Sequence, residues 1–252
     1  MLKIEDVEVM GWEAAIRGMR NPMNSWEKSD SGWSSDWPYT IDPSAKGHIF
    51  VDSDNEGYME LAIGPNDQNL MMTLRNAGTD HRKFMRMITV YLDITAPLYW
   101  WKEFDTYKVG TVANSCSTMH KIAAKKFTLE DFSCEHLIDY DLYSCDEVDG
   151  PVINGAPHIG CGGLQLINLT INVLNYYRGK YLSTKDKKYW WQMIQLLPSS
   201  YNQKRTVMLN YEVLANMYKS RRNHKLDEWH TLCDYIEQLP YSELVTGKGI
   251  KR

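Results

Sequence analysis

The residues best suited to chemistry begin with Lys102, Glu103 and Lys108, which lie close together in the stretch TVYLDITAPLYWWKEFDTYKVGTVANSCSTMH, residues 89–120. They carry the charges of a polar pocket, or else of ordinary surface. Trp100 and Trp101 can stack on a planar ligand, although aromatics on a short amphipathic helix more commonly pack in a core. Further on, Val207, Asn210, Tyr211, Leu214, Met217, Tyr218 and Arg221 share one face of a helix expected over about Lys204–Arg222. A guanidinium on an apolar face is costly without an anion. Arg221 therefore calls for a ligand anion or an internal carboxylate, with Glu212 and Asp227 in reach.

A second grouping holds soft metal-ligand types. His158 to Gly163 reads HIGCGG, with Cys134, His136 and Cys145 nearby in sequence. A lone His-x-x-Cys lacks the second close pair of a zinc site, so no metal is expected. Its glycines admit a phosphate at the start of the following helix, but no lysine is placed to make a P-loop.

These groups have to be positioned by a chain of 252 residues with 43% hydrophobic content, enough for one sizeable core, and a single domain over 1–252 is expected. The 32 acidic and 28 basic residues leave a net charge of −4, which offers no electrostatic reason to bind nucleic acid. The start, MLKIEDVEVMGWE, carries acids where a signal peptide needs an apolar run, and no window approaches the roughly 20 apolar residues of a membrane span. The 5 cysteines are odd in number and scattered, which suits free thiols in a reducing compartment, so a soluble cytoplasmic protein is expected.

VEVMGWEAAIRGM reads as a strand entering a helix, followed by a surface excursion at about residues 21–47 rich in Ser, Asp, Pro and Gly. HIFVD and GYMELAIG flank a turn as in a hairpin, and PNDQNLMMTLRNAG reads as a helix opened by Pro65 and closed by Gly78. Ile88, Val90, Leu92 and Ile94 alternate with Thr89, Tyr91 and Asp93, the pattern of a strand, and Pro97 opens a helix over Leu98–Phe104. Leu164, Ile167, Ile171 and Leu174 recur at helical spacing, as do Tyr189, Met193 and Leu196 before Pro198, and a last helix is expected over about Leu226–Leu239. No Lys or Arg occurs from Phe127 through Tyr177, and acids crowd the first part of this run, marking an acidic, insertion-like segment at about 127–162.

Strand, Ala-Pro, helix and polar turn in this order resemble the central segment of the flavin-dependent thymidylate synthases. In that family a His precedes the strand, where this chain has His81, and a later Leu-Pro precedes a helix bearing two Asn and an Arg, here Leu197-Pro198, Asn210, Asn216 and Arg221. The resemblance covers roughly residues 60–120 and 190–240. The family's Arg-His-Arg triplet falls on Thr106-Tyr107-Lys108, its Ser on Thr111, and the remainder of the signature on Asn114, Ser117 and Met119-His120. Two further family arginines fall on Ile194 and Glu212. A nucleotide phosphate or flavin pyrophosphate requires cationic forks that Thr, Met and Ile cannot supply, so methylation of deoxyuridylate is not expected.

The resemblance implies an α+β single domain, a mixed sheet with several long helices, assembled as a homotetramer because family sites are built between subunits. It implies FAD as cofactor and a small anionic or nucleotide-like ligand. By the same transfer His81, Lys108, Asn210 and Asn216 fall on the cofactor side, and Glu103, Thr111, Ser117 and Arg221 on the substrate side. Two non-catalytic alternatives stand beside this reading: a nucleotide-binding module, and an interaction scaffold. Divergence of this degree suits a phage-encoded protein.

Overall fold

The computed structural model describes residues 2–34, 50–51, 59–138, 152–153, 156–157 and 162–248. The first half of the chain forms β1 (Lys3–Met10), α1 (Trp12–Arg20), β2 (Gly32–Ser34), β3 (Phe50–Val51), β4 (Met59–Ala62), α2 (Pro65–Asn76), β5 (Thr89–Pro97), α3 (Leu98–Phe104), β6 (Val112–Ser115) and α4 (Thr118–Lys121). The second half forms β7 (Val152–Ile153), β8 (Ala156–Pro157), α5 (Gly163–Thr184), α6 (Lys187–Leu196), β9 (Asn202–Asn210), α7 (Tyr211–Arg221), α8 (Asp227–Ile236) and α9 (Glu243–Thr246). A 3-10 turn over Arg82–Arg86 leads into β5. Most of the acidic segment and the second part of the excursion, together with Cys145, His158 and Cys161, lie outside the described residues.

Two compact units emerge, a sheet unit of Leu2–Ile94, Phe104–Asn114 and Arg205–Arg252 and a helical unit of Thr95–Glu103 and Ser115–Lys204. The sheet unit carries a four-stranded antiparallel sheet in the order β1-β5-β9-β6. In β5, Val90, Leu92 and Ile94 are buried while Tyr91 faces solvent, as strict alternation requires. On the opposite face Thr206 of β9 donates its hydroxyl to Asp93 at 2.6 Å. A smaller sheet orders β2-β4-β3, with Phe50 opposite Glu60 in the hairpin read from the sequence.

The expected helix over Lys204–Arg222 is corrected. Residues 202–210 are strand, with Val207 and Leu209 buried at period two, and the helix begins only at Tyr211. Asn210 ends the strand and caps the helix, its side-chain oxygen accepting from Val213 N at 3.0 Å. It therefore does not project from a helical face. Beneath, Trp12 meets Tyr211 edge-on at 5.2 Å, and the Tyr211 hydroxyl donates to the Pro240 carbonyl.

One polar knot organises the start of the excursion. Asp67, fully buried at the opening of α2, accepts from Arg20 Nε at 2.6 Å, from the Ser29 and Ser31 hydroxyls, and from the Asp30 and Ser31 amides. Arg20 in turn donates to the Ser25 and Lys28 carbonyls. Both carboxylate oxygens are thus engaged, which is what makes a buried charge tolerable.

In the helical unit α5 packs on α6 through Ile167, Ile171, Leu174 and Met193, joined by Phe127 and Phe132. Trp100 and Trp101 of α3 are 0% and 1% exposed, and Trp101 Nε1 donates to the Gln203 carbonyl at 2.9 Å. They serve as core within one chain rather than as a platform for a planar ligand.

Candidate functional site

The loop from Phe104 to Asn114 and the helix α7 converge at two points. At the first, Gly110 adopts φ +78° and lies so close to the start of α7 that a Cβ there would sit 3.1 Å from Asn210 Nδ2 and 3.2 Å from Val213. A side chain there would be strained by the backbone conformation and would have to push these two side chains back by a few tenths of an ångström. At the second, in the last turn of α7, Arg221 Nε donates to the Tyr107 hydroxyl at 2.9 Å. The guanidinium lies 4.7 Å from the Trp229 ring centroid and 5.6 Å from that of Tyr107, and the two rings meet edge-on. Arg221 is half-buried rather than sunk in the apolar core.

Between these anchors Phe104, Asp105, Tyr107, Lys108, Thr111, Val112 and Ala113 line a cleft of about 370 Å³. Lys108 is exposed, while Asp105 is paired with Arg205 at 2.7 Å. The Thr111 hydroxyl is buried and has no hydrogen-bond partner among the described residues, a condition that costs about 1–3 kcal/mol unless a ligand or water satisfies it. Charge, an unsatisfied hydroxyl and an aromatic wall suit recognition of a small polar or anionic molecule.

A second cluster stands on the 3-10 turn. Glu212, in the first turn of α7, accepts from Arg86 Nε and from Arg82 Nε at 3.3 Å, and Arg82 Nη2 donates to Asn216 Oδ1 at 3.1 Å. Burial alone raises the Glu212 carboxyl, but the hydrogen bonds and charges of the two arginines carry it below its ordinary value. Glu212 is therefore drawn to Arg82 and Arg86, and does not serve as the partner the sequence suggested for Arg221. Asp227 lies 3.5 Å from His230. His81 is exposed immediately before Arg82, and Arg86 is 56% exposed at its side chain.

Six of the eight residues singled out from the sequence, His81, Lys108, Thr111, Asn210, Asn216 and Arg221, belong to the sheet unit. Lys108, Thr111, Asn210 and Arg221 are gathered by the loop, and His81 and Asn216 belong to the cationic turn. Glu103 and Ser117 belong to the helical unit, where the Ser117 hydroxyl accepts from His120 N at 3.1 Å as the cap of α4. Sequence reading missed Arg82, Arg86 and the Tyr107–Arg221 pair. The signal for the first was present, two arginines four apart in DHRKFMR, one turn before the strand. Among the described residues no group of three or more His, Cys, Asp or Glu is disposed to hold a metal, and no helix is long and apolar enough to cross a membrane.

Compared with solved structures, the chain superposes on Helicobacter pylori thymidylate synthase X with FAD and dUMP over 98% of each chain, with a TM-score of 0.60 at 14% identity. The fold is that of the flavin-dependent thymidylate synthases. A second structure of the thymidylate synthase X of that organism, complexed with FAD and dUMP, gives a TM-score of 0.56 at 15% identity over 96% of this chain and 99% of that one. The UMP/dUMP methylase PolB of Streptomyces cacaoi, bound with 5-Br dUMP, gives 0.55 at 12% identity over 98% and 94%. No family model matches the sequence, and neither does any curated protein. The likeness to thymidylate synthase X thus resides in the backbone fold rather than in sequence identity. In the Glu212 cluster a carboxylate stands where the family resemblance places an arginine, and two guanidinium groups of the 3-10 turn bond to it.

Proposed function

We propose that this chain is a nucleotide-modifying enzyme built on the thymidylate synthase X fold, taking FAD and a substrate other than deoxyuridylate. The observation that carries this reading is Arg221, held by the Tyr107 hydroxyl against Trp229 beside a cleft that contains Lys108 and a buried, unsatisfied Thr111 hydroxyl. Structural neighbours solved with FAD and dUMP support it at the level of fold.

The residues fit a nucleotide by charge and shape. Lys108 offers a point charge to a phosphate, and Thr111 a hydroxyl to a base or sugar edge. Arg221 supplies fixed positive charge one side chain behind the wall. The exposed Arg86 and His81, with the amide of Asn216, suit the pyrophosphate side of FAD, and Asn210 closes the loop between the two groups. Flavin, when bound, carries the redox chemistry; the protein residues bind and orient. Assembly of several copies belongs to the same reading, as does a soluble cytoplasmic setting.

Absorption of the freshly purified protein between 350 and 500 nm tests the cofactor, and thermal-shift screening with FAD, UMP, dUMP and other nucleotides tests the cleft. A ligand at a hundredfold excess over its dissociation constant stabilises by about 2.7 kcal/mol. The reading requires a shift by at least one compound that is lost in Arg221→Ala or Lys108→Ala. A nucleotide response without flavin would favour a binding module without chemistry, and no response at all an interaction scaffold.

A further inference from the structure

Two basic stretches that lie far apart in the sequence meet on one surface of the helical unit. Residues 118–126, TMHKIAAKK, hold three lysines and no acid, and residues 178–188, RGKYLSTKDKK, hold five cations and one acid. Arg178, in the C-terminal part of α5, joins them. It donates from Nε to the Ala123 carbonyl at 3.0 Å and from Nη2 to that of Ala124 at 3.4 Å. Asn175 exchanges two 2.9 Å hydrogen bonds with the backbone of Phe127, and Trp190 Nε1 of α6 donates to the Met119 carbonyl at 3.0 Å. All seven lysines of the two stretches are exposed. Among the described residues, two of them meet a carboxylate, Lys125 that of Asp131 and Lys188 that of Asp186. The formal net charge of −4 conceals this local excess of positive charge.

Aromatic rings are set among the charges. Tyr176 is 58% and Trp191 43% exposed. The Lys180 ammonium stands 5.6 Å from the Tyr176 ring centroid, that of Lys187 5.7 Å from Trp191 and that of Lys188 4.9 Å from Tyr189. We propose that this surface, made by residues 118–126 with the adjoining ends of α5 and α6, binds a single-stranded polynucleotide. The lysines neutralise phosphates and the exposed rings stack on bases, the two elements of sequence-tolerant single-strand recognition. A nucleotide carries its phosphate and its base one sugar apart, which suits a ring with an ammonium at its side. A duplex keeps its base faces stacked on one another, so these rings gain nothing from it. An anionic membrane rewards a contiguous apolar wedge below the basic residues, whereas here rings and charges are interleaved. The inference does not rest on the proposed function, since the cleft and Arg221 belong to the sheet unit.

Fluorescence anisotropy of labelled 12-nucleotide oligo-dT and oligo-U with the full-length chain tests it, the two probes separating DNA from RNA. A micromolar dissociation constant is expected for at least one of them at 50 mM salt. Neutralising about four phosphates gives a salt slope near −3, so affinity should fall roughly 50-fold by 200 mM. Lys121→Glu combined with Lys126→Glu, Lys180→Glu and Lys187→Glu should weaken binding at least tenfold while the far-UV circular dichroism stays unchanged. Tyr176→Ala with Trp191→Ala should weaken it at least fivefold and leave the salt slope as it was, which separates stacking from charge alone. Should either variant lose its helical signal, ultraviolet crosslinking of oligo-U to the wild type decides, with crosslinked peptides expected from residues 118–126 or 176–191. No binding at 50 mM salt, undiminished affinity in either folded variant, crosslinks confined to other segments, or tighter binding of a 12-base-pair duplex or of phosphatidylglycerol vesicles would each overturn the proposal.

Discussion

Arg221 and Tyr107 are joined by a 2.9 Å hydrogen bond from the guanidinium Nε to the phenol oxygen, which ties the end of α7 to the loop that lines the cleft. The family resemblance places the His of a cationic triplet at position 107; here a phenol stands there and holds an arginine from elsewhere in the chain. Tyr107→Phe should cost the fold roughly 0.5–1.5 kcal/mol, measured as a lower urea midpoint. If the cleft binds a nucleotide, the same variant should also weaken that ligand's thermal shift. Loss of stability with an intact shift would make the bond purely structural.

Tritium release from labelled deoxyuridylate, with flavin, reductant and methylenetetrahydrofolate supplied, should remain at background. Thr106, Met119, Ile194 and Glu212 occupy positions where the resemblance places arginines, and each missing charged hydrogen bond forfeits roughly 1.5–3 kcal/mol. Turnover within tenfold of an active family member would contradict this reading of the replacements.

The Glu212 cluster should impose an acid limit on stability. Its carboxyl titrates below the ordinary value in the folded chain because Arg86 and Arg82 bond to the ionised form. A depressed folded-state pKa contributes stability that is complete above the unfolded value, near 4.3, and is lost as pH falls through the folded one. Glu212→Gln should therefore lower stability at pH 7 by roughly 1.5–3 kcal/mol, and the difference from wild type should shrink below about pH 4. Urea titrations at pH 7 and pH 3.5 make the comparison, and a gap equal at both pH values would show that the ion pairs contribute nothing.

Asp67→Asn should be the most damaging of these substitutions. The carboxylate is 0% exposed and accepts from Arg20, the Ser29 and Ser31 hydroxyls and two backbone amides. Its replacement leaves the 4%-exposed Arg20 guanidinium buried without its counter-charge, a loss of about 3–5 kcal/mol. Calorimetry should show a melting temperature lowered by several degrees, together with earlier proteolytic cleavage around residues 25–31. A melting temperature within a degree of wild type would refute the reading of Asp67 as keystone.

Much of the architecture was legible in local pattern. Period-two alternation marked β5, Pro97 the start of α3, helical spacing the buried face of α5, and the order of these elements the family whose fold the chain shares. Such features depend on neighbours within a few residues, and burial of one face suffices to enforce them. The junction at Asn210 was misread because Val207, Tyr211 and Leu214 keep a spacing compatible with a helix across a boundary where strand gives way to helix; only pairing in the sheet settles it. Eight candidate residues could be named from register, but not how they group. The bond from Arg86 to Glu212 spans 126 positions and that from Arg221 to Tyr107 spans 114. No periodicity carries such information, since an ion pair or a stacked guanidinium is chosen by whatever the folded backbone brings within a few ångströms. For Trp100 and Trp101 the sequence favoured a core over a stacked ligand, and the packing around α3 assigns them to the core.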